Sequence, residues 1–272
     1  MTRHVIQMSG GLGSFWAADL VRRRYGNEHM VLLFADTLWE HPDLYRFLGQ
    51  ASEHLDITPT IMCDGRNPFQ VYFDQHFLGN SRLAPCTKEL KQKPCRRWLE
   101  EHCDPADTIL YVGLDAAEER RRPGVVKGWA PWRVEFPLMD DESWTKERMK
   151  GECVKLGIAI PRMYELGFSH NNCQGSCVRA GQAQWLLTLR EFPERYALAE
   201  AEEQRFREEH GKDVSILTET VNGVKRPLTL RTLRLRAEAG LVRRRSPRPA
   251  RPRRRRKAAV KTEALFEMGC PA

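Results

Sequence analysis

Ser9-Gly10-Gly11-Leu12-Gly13-Ser14 joins an apolar run, Val5-Ile6-Gln7-Met8, to a helix-like stretch from Phe15 to Tyr25. Glycines at such a junction let backbone N–H groups turn toward an anion with no Cβ in the way. A helix start adds free amides and the positive end of its dipole. The Ser9 and Ser14 hydroxyls can donate as well, so the chemistry on offer is capture of a phosphate or sulfate group. The spacing is not a Walker loop, because no Gly-Lys-Ser/Thr follows, and it is not the G-x-G-x-x-G dinucleotide fingerprint. An ordinary glycine-rich connection is the plain alternative.

The second group of chemically capable residues is the cysteines, eight in all. With no export signal at the start of the sequence, a disulfide framework is not expected. Cys63, Cys95, Cys103 and Cys153 sit in or beside apolar patterns and are expected to be buried free thiols. Cys173-Gln174-Gly175-Ser176-Cys177 is different, with two thiols four residues apart beside a helix start, preceded by Ser169-His170-Asn171-Asn172. First-turn amides there would favour thiolate, the form that binds metal. Two cysteines are half a site; Cys86 and Cys270 are the candidates to complete it, with His170 an alternative to Cys270. Four thiolates suit a [4Fe–4S] cluster or zinc, and ordinary reduced thiols are the bland reading.

Strands separated by helices must position these residues. Met30 to Ala35 is a strand-length apolar run followed by Asp36-Thr37 and a helix from about Pro42 to Leu55. Ile57 to Met62 and Thr108 to Gly113 give a third and a fourth strand. Continuous apolar strands of this kind imply an α/β, Rossmann-like, doubly wound and mainly parallel sheet covered on both faces. Ligands in such sheets bind beyond the carboxyl ends of the strands. Ser9–Ser14, Asp36-Thr37 and Gly113–Arg120 all follow strands, so they should share that edge. From about residue 144 the pattern is helical, with candidates at Thr145–Leu156, Val178–Arg190 and Pro193–Glu209, the last read as a solvated surface helix. We expect a nucleotide-binding domain over 1–210, a short extension over 211–242 with a turn at Val221-Asn222-Gly223, and a disordered Arg/Pro-rich tail over 243–272.

The charge distribution narrows the partners. The chain of 272 residues carries +8, but ten basic residues and no acidic one fall between Arg243 and Lys257, so the remainder sums to −2. The basicity belongs to the tail, which could hold nucleic acid through salt-dependent phosphate contacts, and not to a basic domain surface. No apolar run approaches the ~18 residues that span a bilayer, so no membrane role and a cytoplasmic location are expected.

In order along residues 5–190, several segments resemble the phosphoadenosine-phosphosulfate (PAPS) reductase family of the adenine-nucleotide alpha-hydrolase (PP-loop) superfamily. Ser9–Ser14 is similar to that superfamily's Ser-Gly-Gly-x-Asp-Ser loop, with Gly13 in place of the Asp. Phe34–Thr37 with Glu40–Tyr45, Cys86-Thr87-Lys88-Glu89-Leu90-Lys91, and Gly113-Leu114-Asp115-Ala116-Ala117-Glu118-Glu119-Arg120 are similar to three further stretches. Phe136-Pro137-Leu138, Trp144–Glu147 and Tyr164-Glu165-Leu166-Gly167-Phe168 complete the order. The resemblance implies an adenine nucleotide, ATP or PAPS, with its phosphates at Ser9, Gly10, Gly11, Gly13 and Ser14. Asp36 and Thr37 would lie on its ribose or adenine side, Gly113 and Glu118 beside it, and Lys88, Lys91 and Arg120 at the anionic end.

The implied activity is sulfonucleotide reduction or ATP-dependent sulfur transfer, served by a thiol or electron donor protein. Gly13 removes the carboxylate that metal-assisted ATP cleavage uses. The Cys-Cys and Cys-x-x-Cys pairs of cluster-bearing relatives and the terminal Glu-Cys-Gly nucleophile are also missing. Cys270, in Met268-Gly269-Cys270-Pro271, is then a displaced nucleophile, a fourth metal ligand or a plain tail residue. The rival is a non-catalytic nucleotide-binding or nucleic-acid-associated module, including one for DNA or RNA modification; a zinc-stabilised fold with no ligand is a third.

Overall fold

The computed structural model describes residues 1–241, so the basic tail and Cys270 lie outside the described residues. The chain runs β1 (Arg3–Met8), α1 (Leu12–Tyr25), β2 (Met30–Asp36), α2 (Pro42–Leu55), β3 (Thr60–Cys63) and α3 (Pro68–Asp74). It continues with α4 (Lys93–His102), β4 (Thr108–Tyr111), α5 (Arg122–Trp129), β5 (Arg133–Glu135), α6 (Lys146–Lys155) and α7 (Arg162–Glu165). The last part comprises α8 (Gln182–Glu191), α9 (Pro193–His210), the hairpin β6 (Leu217–Val221) and β7 (Val224–Leu228), and α10 (Leu230–Glu238).

The five strands β3-β2-β1-β4-β5 form one sheet, parallel throughout. This is the α/β, Rossmann-like arrangement that the apolar strands imply, and its order reverses direction at β1. Ile6 and Met8 of β1 point to one face, packed with Phe15, Trp16 and Phe47 from α1 and α2. Val5 points to the other, with Cys95, Leu99 and Trp129 from α4 and α5. Burying each such large side chain stabilises the fold by roughly 1.5–3 kcal/mol.

Local chemistry fixes the boundaries. Helix α2 starts where His41 Nδ1 accepts from Asp43 N at 2.9 Å and Pro42 takes the first helical position; it ends in Asp56 at φ 54°. The third strand is shorter than the sequence suggested, because Ile57 is used in capping α2 and pairing with β2 begins at Thr60. The β6–β7 hairpin turns at Asn222-Gly223, both at positive φ, as that dipeptide demands.

Three readings need correction. Helix α9 is not a purely solvated helix: Tyr196, Ala199, Glu203 and Phe206, spaced for one face, are buried in a second core with Trp185, Leu228 and Leu230. Cys63 is exposed on edge strand β3, and Cys103 is only half-buried because it caps α4 instead of lying within it. Strand β5, only three residues long with charged ends, and helices α3 and α4 were not expected, although α4 is amphipathic and buries Pro94, Cys95 and Leu99.

Glu203 anchors the second core. Its carboxylate, 1% exposed, accepts from Ile216 N at 2.8 Å and Leu230 N at 2.6 Å, tying α9 to both ends of the hairpin. Burial pushes its pKa up to about 7, against those two backbone donors. The folded state therefore holds a proton that the unfolded chain releases near pH 4.5. This contribution is complete below that pH and is lost as pH rises through 7. Chemical denaturation from pH 5 to 8 should show wild-type stability falling by up to about 3 kcal/mol from this group, and Glu203→Gln should flatten the fall. An identical pH profile in the variant would contradict the assignment.

Candidate functional site

The loop between β1 and α1 is shaped from within. Ser14 Oγ donates to Gly11 O at 2.9 Å and accepts from Ser9 N at 3.1 Å, which curls the backbone around a centre. Gly10 sits at φ 70°, and a Cβ there would meet Leu44 at 2.5 Å, so no other residue fits. Helix α1 begins at Gly11 with no side-chain cap, leaving first-turn amides open to a ligand. A cavity of about 370 Å3 lies against this loop, within the range of small-ligand sites. Its wall includes Ser9, Gly11, Gly13, Ser14, Gly113 and Glu118, with Lys91 and Lys146 as cations.

Gly13 and Gly113 explain each other. A Cβ on Gly13 would stand 2.5 Å from Gly113 O, and one on Gly113 would stand 2.3 Å from Gly13 C. The two backbones touch, and α1 is thereby clamped to the end of β4. An Asp at position 13 would have no room here. Gly13 therefore serves the cavity by close approach, and a carboxylate on that position is sterically excluded.

Glu40, in the sequence only one member of the Glu40–Tyr45 stretch, is the centre of the polar network. Its side chain is 2% exposed. Oε1 accepts from Thr37 Oγ1 at 3.0 Å and Lys91 Nζ at 3.2 Å, while Oε2 accepts from Cys173 N. Burial works against the Lys91 ammonium, but Glu40 and the neighbouring Cys173 and Cys177 thiols outweigh it and raise its pKa. Lys91 thus stays charged in the cavity wall while its partner grips the cysteine-bearing turn.

That turn is conformationally demanding. Cys173, Gln174 and Gly175 stand at φ 51°, 45° and 79°, three consecutive left-handed residues. Such conformations cost about 1–3 kcal/mol for a non-glycine residue and persist only when the surroundings enforce them. Here Glu40 holds Cys173 N, Arg195 donates to Gln174 Oε1 at 2.9 and 2.6 Å, and Ser176 Oγ donates to Cys173 O at 2.7 Å. Arg195 in turn stacks on Trp39 at 4.1 Å.

Cys173 and Cys177 share one proton economy. A hydrogen bond from Cys173 lowers the Cys177 thiol to about 6 despite its burial, and Cys173 is raised correspondingly. The Arg179 backbone N–H and Lys91 add to the Cys177 effect. The source of thiolate stabilisation differs from the sequence reading: α8 begins at Gln182, so its first-turn amides do not serve Cys177. Cys86 packs into the same aromatic core, where Tyr72 OH donates to its Sγ at 3.1 Å and burial raises its pKa. Among the described residues no group of three His, Cys, Asp or Glu is arranged to hold a metal ion. Of the expected four thiolates, Cys86, Cys173 and Cys177 pack against one core, and Cys270 lies outside the described residues.

Asp36, Thr37, Lys88 and Arg120 fall outside the cavity wall. Asp36 accepts from Tyr45 OH and Leu38 N, both at 2.9 Å, at the end of β2. Thr37 is buried against Glu40, and Lys88 and Arg120 are exposed. His170 lines the cavity among Lys146, Glu118, Arg121 and Asp115, and burial lowers its pKa, so it is neutral near pH 7. Tyr164 and Asn171 also line the cavity and were not singled out; only their adjacency to a quoted motif and to Cys173 marked them.

No protein-family model matches the chain, and no curated protein matches it. Among solved structures, the chain is similar to the crystal structure of phosphoadenylyl-sulfate (PAPS) reductase from Candida auris in its phosphate complex. The TM-score is 0.45 and the identity 15%, covering 63% of this chain and 82% of that one. At that distance, function rests on the chemistry of the site itself.

Two substitutions probe this geometry. Gly13→Ala should lower stability by about 1–3 kcal/mol through overpacking against Gly113, read as a loss of several degrees in Tm; an unchanged Tm would refute the backbone clamp. Glu40→Ala strands Lys91 and Cys173 N, and should cost about 2–3 kcal/mol in chemical denaturation. That is below the ~3–5 of a fully buried pair because the Lys91 side chain is 34% exposed. A neutral result would remove Glu40 from the centre of the site.

Proposed function

We propose that the chain binds an adenine nucleotide (ATP, PAPS or adenylylsulfate) with its phosphates at Ser9–Ser14, and acts on it in sulfonucleotide reduction or ATP-dependent sulfur transfer. The observation that carries this reading is the continuity of Lys91. It faces the anion cavity, and through Glu40 it is tied to the backbone of the thiol-bearing turn. An anion-binding cradle and a lowered-pKa thiol are thus joined by one ion pair.

In the reductive version a thiolate attacks the sulfonate sulfur and displaces the nucleotide phosphate, forming an S-sulfonate. A second thiol then attacks the cysteine sulfur and releases sulfite. Sulfur is reduced by two electrons, the two thiols are oxidised to a disulfide, and a thiol or electron donor protein restores them. Cys177, lowest in pKa, suits the attacking role, and Cys173 beside it the resolving one. A [4Fe–4S] cluster or zinc would be the metal-bearing form of the same reading, held by Cys86, Cys173, Cys177 and Cys270, because thiolates are donors that both take. Lys88, Arg120 and Cys270 would join catalysis only through segments brought to the ligand.

One observation favours the rival, a nucleotide-binding module without hydrolysis, with nucleic acid held by the Arg-rich tail in DNA or RNA modification. The Gly13–Gly113 contact leaves no place for the carboxylate that supports metal-assisted ATP cleavage. Calorimetry against ATP, PAPS and adenylylsulfate tests the nucleotide site common to both readings, with binding of at least one expected and binding of none removing both; sulfite release from PAPS or adenylylsulfate with a dithiol present separates them, since only the reductive reading predicts it. Absorbance near ~400 nm in anaerobically purified protein identifies the cluster form; a featureless spectrum removes it.

A further inference from the structure

The Tyr164 hydroxyl lies over the phosphate loop. Leu12 N donates to it at 3.4 Å, and a Cβ on Gly11 would stand 3.1 Å from it. Its oxygen therefore accepts from the loop, and among the described residues nothing accepts its proton. Tyr164 is half-buried, and a phenol O–H drawn away from solvent ordinarily finds an acceptor. Burial raises its pKa against backbone hydrogen bonds from Leu12 and Asn171, so the proton is retained at neutral pH. The cavity that Tyr164 lines is the direction left for it.

Asn171 supplies an independent observation at the same place. It is 4% exposed and lines the cavity. Nδ2 donates to Gly10 O at 2.7 Å, which fixes the carboxamide orientation, since a carbonyl requires a donor. Oδ1 is then an acceptor, and it is buried with no partner. A buried orphan of this kind is costly unless a ligand or water completes it. An acceptor repels a bare anion, so the oxyanion belongs at the loop amides and the Tyr164 O–H, and Asn171 Oδ1 takes a donor carried by the same ligand.

We propose that Tyr164 is a ligand-binding residue that donates its hydroxyl proton to the oxyanion held by Ser9–Ser14, with Asn171 positioning the ligand by accepting from its hydroxyl or amino group. The site is then selective for a phosphoryl or sulfonyl group on a molecule that also brings a hydrogen-bond donor, as a nucleoside phosphate does. This rests on the nucleotide reading above and extends it.

Tyr164→Phe removes the hydroxyl and keeps the ring. Calorimetry with ATP, pyrophosphate and adenosine should show Kd for ATP and pyrophosphate weakened by about tenfold or more, the size expected for a hydrogen bond to a charged group. Adenosine, which has no oxyanion, should bind as it does to wild type, and Tm should be unchanged. Equal Kd values for ATP in the two proteins would overturn the inference alone. An equal loss for adenosine would overturn it too, by showing a general disturbance of the cavity. Failure of wild type to bind ATP and pyrophosphate would remove the nucleotide reading and this inference together.

Discussion

One buried carboxylate holds the site together. Glu40 leaves the end of β2 and accepts from three donors on three segments: Thr37 beside it, Lys91 ahead of α4, and the backbone of Cys173 far along the chain. A carboxylate so deeply buried is tolerable only when paired and fully hydrogen-bonded. The constraint works in both directions. Glu40 needs its three donors, and the left-handed turn at Cys173–Gly175 needs Glu40 to hold a conformation that few side chains accept. Lys91 gains a fixed position in the cavity wall from the same contact.

The second constraint is steric. Where α1 meets the end of β4, Gly13 and Gly113 bring two backbones into direct contact, which closes one side of the cradle. Open helix amides, the Ser14 hydroxyl turned inward to shape the loop, and a wall containing Lys91 and Lys146 make the remaining surface complementary to an anion. Gly13 is thus a packing requirement, since any side chain there would run into Gly113 O.

The sheet was legible because its signals are local. Val5, Ile6 and Met8 in β1, the six apolar residues Met30–Ala35 in β2, and Pro42 after His41 at the start of α2 fix those elements within a few residues. The β6–β7 turn was legible for the same reason, at Asn222-Gly223. The site was legible only in outline. Glu40 makes sense once donors 51 and 133 residues away converge on it, and Tyr164 meets the loop across 152 residues. Neither pairing leaves a periodic trace. Helix α9 hid for a related reason: Glu203 counts as a surface charge in the sequence, but the fold brings two backbone donors to it.

Lys91 and Glu40 join the anion cradle to the Cys173–Cys177 pair. The most direct measurement is the alkylation rate of Cys173 and Cys177, followed by mass spectrometry on the full chain with and without saturating ATP or PAPS. A bound nucleotide should slow or redirect alkylation at this pair while exposed Cys63 reacts at its unliganded rate. Alkylation of the pair that is indifferent to a nucleotide shown by calorimetry to be bound would contradict it.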